Sequence, residues 1–436
     1  MVEHDPIVNE QETVQFIIAP EENYECVKCG LCCSDFWEIP VDPESAGQIQ
    51  DLDISQIRPS LRYYEPFKKS PLDPSRTIIK QIDGRCCFLI KQCLCGLHYH
   101  FGADSKPRVC RQFPYIYVHT PDGIVVTSSF ACPQVQKNEG LPLVGQIDDI
   151  RMTYSNVFKT TTIPAEIKLN DTIVLQWEQY RKVEQGLLEL LSIETMPVTT
   201  LLIAGSVYID LLGDFIQEAE RNEKYTRDEI IDTYLKIMRE QHFGRPLSIA
   251  QHMPGTASLQ RLYVGLLISF RNTLTRKRSY PGTILFWLRQ YFLNVLGLGK
   301  FQILPVDERI DITDFGKVRF PLEEPYFRYT ILRYAKMLIF RKQGMDKMSF
   351  QKSYRFILLY LALIRWYATA LAVSADSSEV DRLMFLRAIG LVEQYYVRHT
   401  AMDSFFTANP HLDMLLERFM NNKQYPAIMA LPPIKT

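Results

Sequence analysis

The sequence predicts an α+β protein in two unequal parts: an irregular cysteine-rich metal-binding domain with a β-hairpin over residues 1–145, followed by a larger all-α domain over residues 146–436. Three observations carry this. All 10 cysteines fall between Cys26 and Cys132, and such asymmetry marks a boundary between a thiol-bearing unit and one that has no use for thiols. Thr120-Pro-Asp-Gly123 separates two runs of strand formers, Tyr115–His119 and Ile124–Thr127, which is the pattern of a hairpin. From about residue 170, apolar residues recur at three- and four-residue intervals, the period of a helix with one buried face.

Composition narrows the function classes. At 436 residues the chain can bury a sizeable core and form two domains. With 49 basic and 50 acidic residues, net charge −1, no global field draws it to nucleic acid or an anionic membrane, and neither is expected as a partner. The start, Met1-Val-Glu-His-Asp-Pro, lacks the basic-then-apolar order of a signal peptide. A cytoplasmic setting is therefore expected, with reduced thiols free to bind metal rather than pair as disulfides.

Taken in order, Val14–Ala19 reads as a short strand closed by Pro20, and Phe36–Ile39 as extended. Asp42-Pro-Glu44 reads as a helix start, with Asp as N-cap and Pro at the first helical position. Pro59, Pro66, Pro71 and Pro74 make residues 58–76 a loop. The arms of the Tyr115–Thr127 hairpin leave from the same end, so Cys110 and Cys132 should be neighbours despite their separation in sequence. Among the helices, Thr226-Arg-Asp-Glu229 opens one that runs to about Arg239, and Leu259, Leu262, Tyr263, Leu266, Phe270 and Leu274 mark the core face of another. Ser378, with Asp381 three positions on, opens a third that presents Leu383, Met384, Ala388, Leu391, Val392 and Tyr395. Phe356–Val373 is apolar enough to raise a membrane span. Arg365 at its centre would cost at least ~2.5 kcal/mol in hydrocarbon, so a buried helix is expected.

Thiolates are soft ligands suited to zinc and to iron–sulfur clusters, and short spacings let one loop present several to one centre. Cys26-x2-Cys29-x2-Cys32 has the spacing of the first three ligands of a bacterial ferredoxin loop, but position 36 is Phe, so a distant thiol must complete the set. Cys132-Pro133, a Cys-Pro pair like the one that ends the ferredoxin loop, is a candidate. Cys33 either faces a second centre or lies beside the first.

The ordered set Cys26-x2-Cys29-x2-Cys32-Cys33, Cys86-x-Phe-Leu, Cys95-x-Leu, Lys106-Pro-x-x-Cys110-Arg-x-Phe-Pro and Cys132-Pro resembles the YkgJ-type cysteine-cluster family, described as a zinc- or iron-chelating domain. The resemblance covers roughly residues 24–135. It implies eight metal ligands: Cys26, Cys29, Cys32, Cys33, Cys86, Cys95, Cys110 and Cys132. Cys87 and Cys93 are extra, and Cys95-Gly-Leu-His98 departs from the family's usual Cys-x-Ile-Tyr, so that His98 or Cys93 could replace an expected ligand. Longer relatives with a helical region after the cluster are similar to flagellin lysine-N-methylases. That likeness implies a lysine N-methyltransferase using S-adenosylmethionine on a protein such as flagellin, beside a 4Fe-4S cluster or zinc. The residues themselves add little to it: Gly297-Leu-Gly299 follows a helical pattern rather than a strand, and the radical spacing Cys-x3-Cys-x2-Cys is absent. A non-enzymatic zinc- or iron-binding interaction module is the alternative.

Four further groups have a chemical reading beside a plainer one. His98-Tyr-His100 could ligate metal or merely pack. Arg108 and Arg111 could stabilise the Cys110 thiolate or form surface ion pairs. Arg276-Lys-Arg278 reads as a cationic helix end rather than a nucleic-acid patch. Asp210, Asp214 and Glu218 share a helix face and read as solvated carboxylates without partners.

Overall fold

A four-stranded sheet organises the cysteine region, in the order Phe16–Ile18, Gly123–Ser128, Tyr115–Thr120, Thr161–Thr162. The two central strands are the expected hairpin, antiparallel with Tyr115 opposite Ser128, and each outer strand runs parallel to its neighbour. Gly123 is needed at the turn because the incoming chain crosses it: a Cβ there would lie 2.5 Å from the carbonyl oxygen of Gln15. This computed structural model describes residues 15–34, 38–70, 74–91, 93–155, 157–158, 160–221, 224–274, 299–303, 308–397 and 410–430, with scattered positions between 285 and 296. Arg276-Lys-Arg278, and Phe36 and Trp37 of the Phe36–Ile39 stretch, lie outside the described residues.

Alternation along the hairpin gives the sheet two apolar faces. Tyr115, Tyr117, Ile124 and Val126 pack on Leu143 and on Ile150 of the helix Ile147–Tyr154, where the Tyr117 hydroxyl donates to the Ile150 carbonyl at 3.0 Å. Val118 and Val125 on the other face join the main core, which extends through the helices to Ala430. A separate small core, with Ile49, Leu61, Phe88 and Leu97, lies beneath the helix Pro43–Gln50. That helix starts as expected, with the Asp42 carboxylate accepting from the Ser45 N–H at 2.9 Å. The 58–76 stretch is less irregular than its prolines suggest, because Phe67–Lys69 pairs antiparallel with Thr77–Ile79. Pro59 opens a 3-10 turn and Pro66 precedes the strand, so neither removes a ladder hydrogen bond.

The C-terminal part is helical, with Trp177–Leu190, Val198–Glu220, Arg227–Glu240, Gly244–His252, Ala257–Leu274, Pro325–Phe340, Phe350–Ser374, Arg382–Val392, Pro410–Met420 and Tyr425–Ala430. A hairpin, Lys300–Ile303 with Glu308–Asp311, interrupts it, and the helical period had hidden this pair. Thr226 and Glu229 form the expected capping box. The third predicted start shifts by three residues. Asp381, not Ser378, caps its helix through the Met384 N–H, because Ser378 and Val380 bond the backbone of Arg319. Among the described side chains of Ala257–Leu274, Gln260, Val264, Leu267 and Ile268 are buried, with the expected Leu259 and Tyr263 packed half-buried against the main core, and the Gln260 side chain donates to the carbonyls of Ile428 and Met429.

Val198–Glu220 and Phe350–Ser374 have the length and apolarity of membrane spans, and both are mostly buried against neighbouring elements. Arg365 is buried, which lowers its pKa to about 9, and its two terminal nitrogens donate to the carbonyls of Ala430 and Met429. Asp214 and Glu218 are exposed, as the solvated-carboxylate reading has it, whereas Asp210 departs from it. It accepts from Arg355 at 2.9 Å through both oxygens and from Gln351 at 2.6 Å, with Arg355 almost wholly buried.

Candidate metal centre

The strand pair Asn23–Tyr24 with Leu141–Pro142 delivers the chain into the cysteine loop. Gly30 turns it at φ 69°, and Leu31–Cys33 follow as one 3-10 turn closed by the Cys33 N–H on the Gly30 carbonyl. Only glycine fits here, since a Cβ would meet the Cβ of Cys93 at 2.8 Å. The same contact brings Cys93 against the loop. Cys32 and Cys33 hold their sulfurs 3.8 Å apart.

The distant thiols come from four local devices. Cys86 ends the tight pair Gln81–Ile82 with Arg85–Cys86 and belongs to the same small core as Cys33. Cys95 bridges back to Leu89 and begins the short helix Gly96–Phe101. Cys110 lies in Arg108–Gln112, and Cys132 stands just before Pro133–Lys137, with Pro133 at the first helical position. Cys26, Cys29, Cys32, Cys33, Cys86, Cys93, Cys95, Cys110 and Cys132 all line one cavity of about 1360 Å³. Cys110 and Cys132 both line this cavity, Cys110 from the small core and Cys132 from the main one. Cys87 is buried away from it among Ile57, Leu61 and Phe88.

The opposite wall is helical and partly apolar: Leu267, Phe356, Leu359, Leu363 and Tyr396, with Arg341 and Lys342 at its edge. These two cations are held by buried carboxylates, Arg341 by Glu393 at 3.0 Å and Lys342 by Glu184 at 2.8 Å. A clamp ties the wall to the cysteine region. Arg333 donates to the carbonyls of Val135 and Gln136 at 2.6 and 2.7 Å and to the Asn138 side chain at 3.1 Å. Asn138 in turn accepts from the Asn23 N–H at 2.8 Å, so one side-chain pair fixes both the loop entry and the helix after Cys132.

Burial governs the thiols' protonation. It pushes Cys110 up to about 12 and Cys132 up to about 11, with Lys106 opposing the first and helix N–H groups the second. Cys32 is raised by its hydrogen bond with Cys33 and by burial, while Cys33 is lowered by that bond but raised more by Cys86 and burial. Thiols held neutral this way become ligands when a cation replaces their protons. Arg108 and Arg111 do not supply the local positive charge. They pair with Glu44 and Asp104, and Lys106 is the cation that acts on Cys110 and Cys32. Lys28, Lys69, Arg76 and Lys347 also line the cavity, against Asp42 and Asp346. A thiolate centre, which carries net negative charge, suits such a lining. His98 lines the cavity from an exposed position; His100 is not among its lining residues.

The donor set therefore fits zinc or an iron–sulfur cluster in chemistry, being soft, crowded and without disulfides. Among the described residues no group of three Cys, His, Asp or Glu is placed to hold one ion.

An irregular thiol cluster closed by a hairpin defines a class, the cysteine-cluster metal domain. Residues 25–138 match the family model described as "CxxCxxCC: Putative zinc- or iron-chelating domain", so the resemblance read from the cysteine spacing holds for that segment. An uncharacterized protein of Methanocaldococcus jannaschii is 20% identical over 239 residues, covering 51% of this chain and 81% of its own. No solved structure matches. Cysteine spacing alone missed Lys106, Arg333 and Asn138. The Lys-Pro beside Cys110 was a signal for the first, whereas the other two act across the fold and leave no local trace.

Proposed function

We propose that this chain is a metal-dependent enzyme of the cytoplasm, where its thiols stay reduced, and that it binds an organic co-substrate against a thiolate-held centre. The cavity carries this reading: about 1360 Å³ is far more than a metal needs, and its far wall is helical. Ligand pockets of a few hundred Å³ or more with apolar walls and a few polar groups commonly admit small molecules. The likeness to flagellin lysine-N-methylases supports S-adenosylmethionine as that co-substrate and a lysine of a protein such as flagellin as acceptor. Residues 1–145 would form the metal-bearing part and 146–436 the helical wall. The ferredoxin-like triplet Cys26, Cys29, Cys32 favours a 4Fe-4S cluster over zinc.

The cysteines would hold the centre, and a bound centre would supply a net-negative, thiolate-ligated anchor. Lys106 would balance thiolate charge, while Arg341 and Lys342, each paired with a buried carboxylate, line the cavity. Anaerobic purification followed by metal and sulfide analysis tests the centre, and a colourless protein with stoichiometric zinc would sink the iron–sulfur choice. Calorimetry with S-adenosylmethionine tests the reaction. No heat with metal-loaded protein would return the chain to a non-enzymatic metal-binding module.

A further inference from the structure

We propose that the cavity binds an organic anion, its charged group at Lys69 and Arg76 and its apolar or aromatic body along the helix Phe350–Ser374. This rests on the reading of the cavity as a small-molecule site and uses no metal. The carrying observation is how the lining is divided. Among the described residues, the cysteine side contributes the cations Lys28, Lys69, Arg76 and Lys106 against one carboxylate, Asp42, which is engaged by the N–H and hydroxyl of Ser45. The chain as a whole has net charge −1, so this excess is local. A cleft lined by one sign of charge, with walls of low dielectric, focuses its field on what enters.

Lys28 and Lys106 lie among the thiols, and Lys106 acts on Cys110 and Cys32. Lys69 and Arg76 come instead from the pair Phe67–Lys69 with Thr77–Ile79, which carries no cysteine. The Ser70 N–H donates to the Arg76 carbonyl at 3.0 Å, so both cations stand at the turn end of this hairpin. The Lys69 ammonium donates to the Thr77 hydroxyl at 3.3 Å. On the opposite wall Phe356, Leu359, Tyr360 and Leu363 recur at three- and four-residue spacing along one helix face, joined by Leu267 and Tyr396. The half-buried rings of Phe356 and Tyr360 lie 6.1 Å apart. Arg341 and Lys342 on this side are already paired with Glu393 and Glu184. The cavity is therefore cationic on one side and apolar on the other. Long-chain carboxylates and nucleoside phosphates share the matching chemistry. At about 1360 Å³ the cavity exceeds the volume of one small-molecule pocket, so the anion and the co-substrate need not compete.

The test uses the full chain and two matched fluorescent probes, 8-anilinonaphthalene-1-sulfonate and its uncharged parent N-phenyl-1-naphthylamine. The sulfonate should bind about tenfold tighter than the parent, and added salt should erase the difference. Lys69→Gln combined with Arg76→Gln should bring the sulfonate down to the parent's affinity and leave the parent's own affinity unchanged, which a merely structural defect would not do. Decanoate or a nucleoside triphosphate should displace the sulfonate, and the one that does so identifies the body of the ligand. Displacement by neither overturns the proposal. Equal binding of the two probes by the unmutated protein overturns it as well, and no misfolded variant enters that comparison. S-adenosylmethionine, whose net charge is positive, separates this site from the reading above. Heat with it and no preference for the sulfonate overturns the anion site alone, whereas a preserved preference without such heat overturns only that choice of co-substrate.

Discussion

Glu22 shows how one buried residue can make this fold sensitive to pH. Its carboxylate accepts from the Ser128 N–H at 3.2 Å, its other oxygen is buried without a hydrogen-bond partner, and burial raises its pKa to about 7 against the pull of Arg333. The folded state therefore binds a proton that the unfolded chain releases near 4.5, and the stability gained below that value is lost as pH rises through 7. At about 1.4 kcal/mol per unit, the loss is roughly 3 kcal/mol at most. Glu22→Gln should flatten the fall in melting temperature between pH 5 and 8, and an unchanged slope would assign the effect elsewhere. Arg355 illustrates the opposite case, a buried cation that is paired with a carboxylate. Asp210→Ala would strand it, costing about 3 kcal/mol in chemical denaturation. Cys87→Ser, outside the cavity, should leave metal content unchanged by elemental analysis.

Among the elements, the short helix Pro133–Lys137 depends on others for its position. Arg333 covers its last carbonyls and stacks on Phe130 at 4.5 Å, so the Pro325–Phe340 helix holds Cys132 from a distance. Arg333→Ala should weaken metal binding about tenfold in a chelator competition while far-ultraviolet circular dichroism stays unchanged; equal affinity would show that Cys132 needs no such support. The Thr226–Glu229 capping box is a purely local device by comparison. Thr226→Ala should cost about 1 kcal/mol in thermal unfolding and nothing in metal content.

At the scale of the molecule, the cysteine region has only a small core of its own, whereas the main core runs from Val118 to Ala430. Metal removal should thus loosen residues preceding the hairpin and spare the helices. Hydrogen exchange before and after chelation should rise across residues 24–112 and remain low in Phe350–Ser374, and uniform loss of protection would contradict it. The helical wall contributes to the site by facing the thiols across the cavity, with Arg341 and Lys342 fixed at its edge by carboxylates from other helices.

The α+β class, the Tyr115–Thr127 hairpin, the Thr226 cap and the family of the thiol segment were legible in the sequence, because periodicity, turn chemistry and ligand spacing are local. The Asp381 cap, the Lys300–Asp311 hairpin and the Asp210–Arg355 pair were not, since each depends on which segment lies alongside. From the sequence alone one reads which thiols are available and that they are crowded into the N-terminal third. That Cys33, Cys86, Cys95 and Cys110 share one small core, that Cys87 lies outside the cavity, and that helices line its far wall depend on the fold, because they follow from packing between segments far apart in the chain.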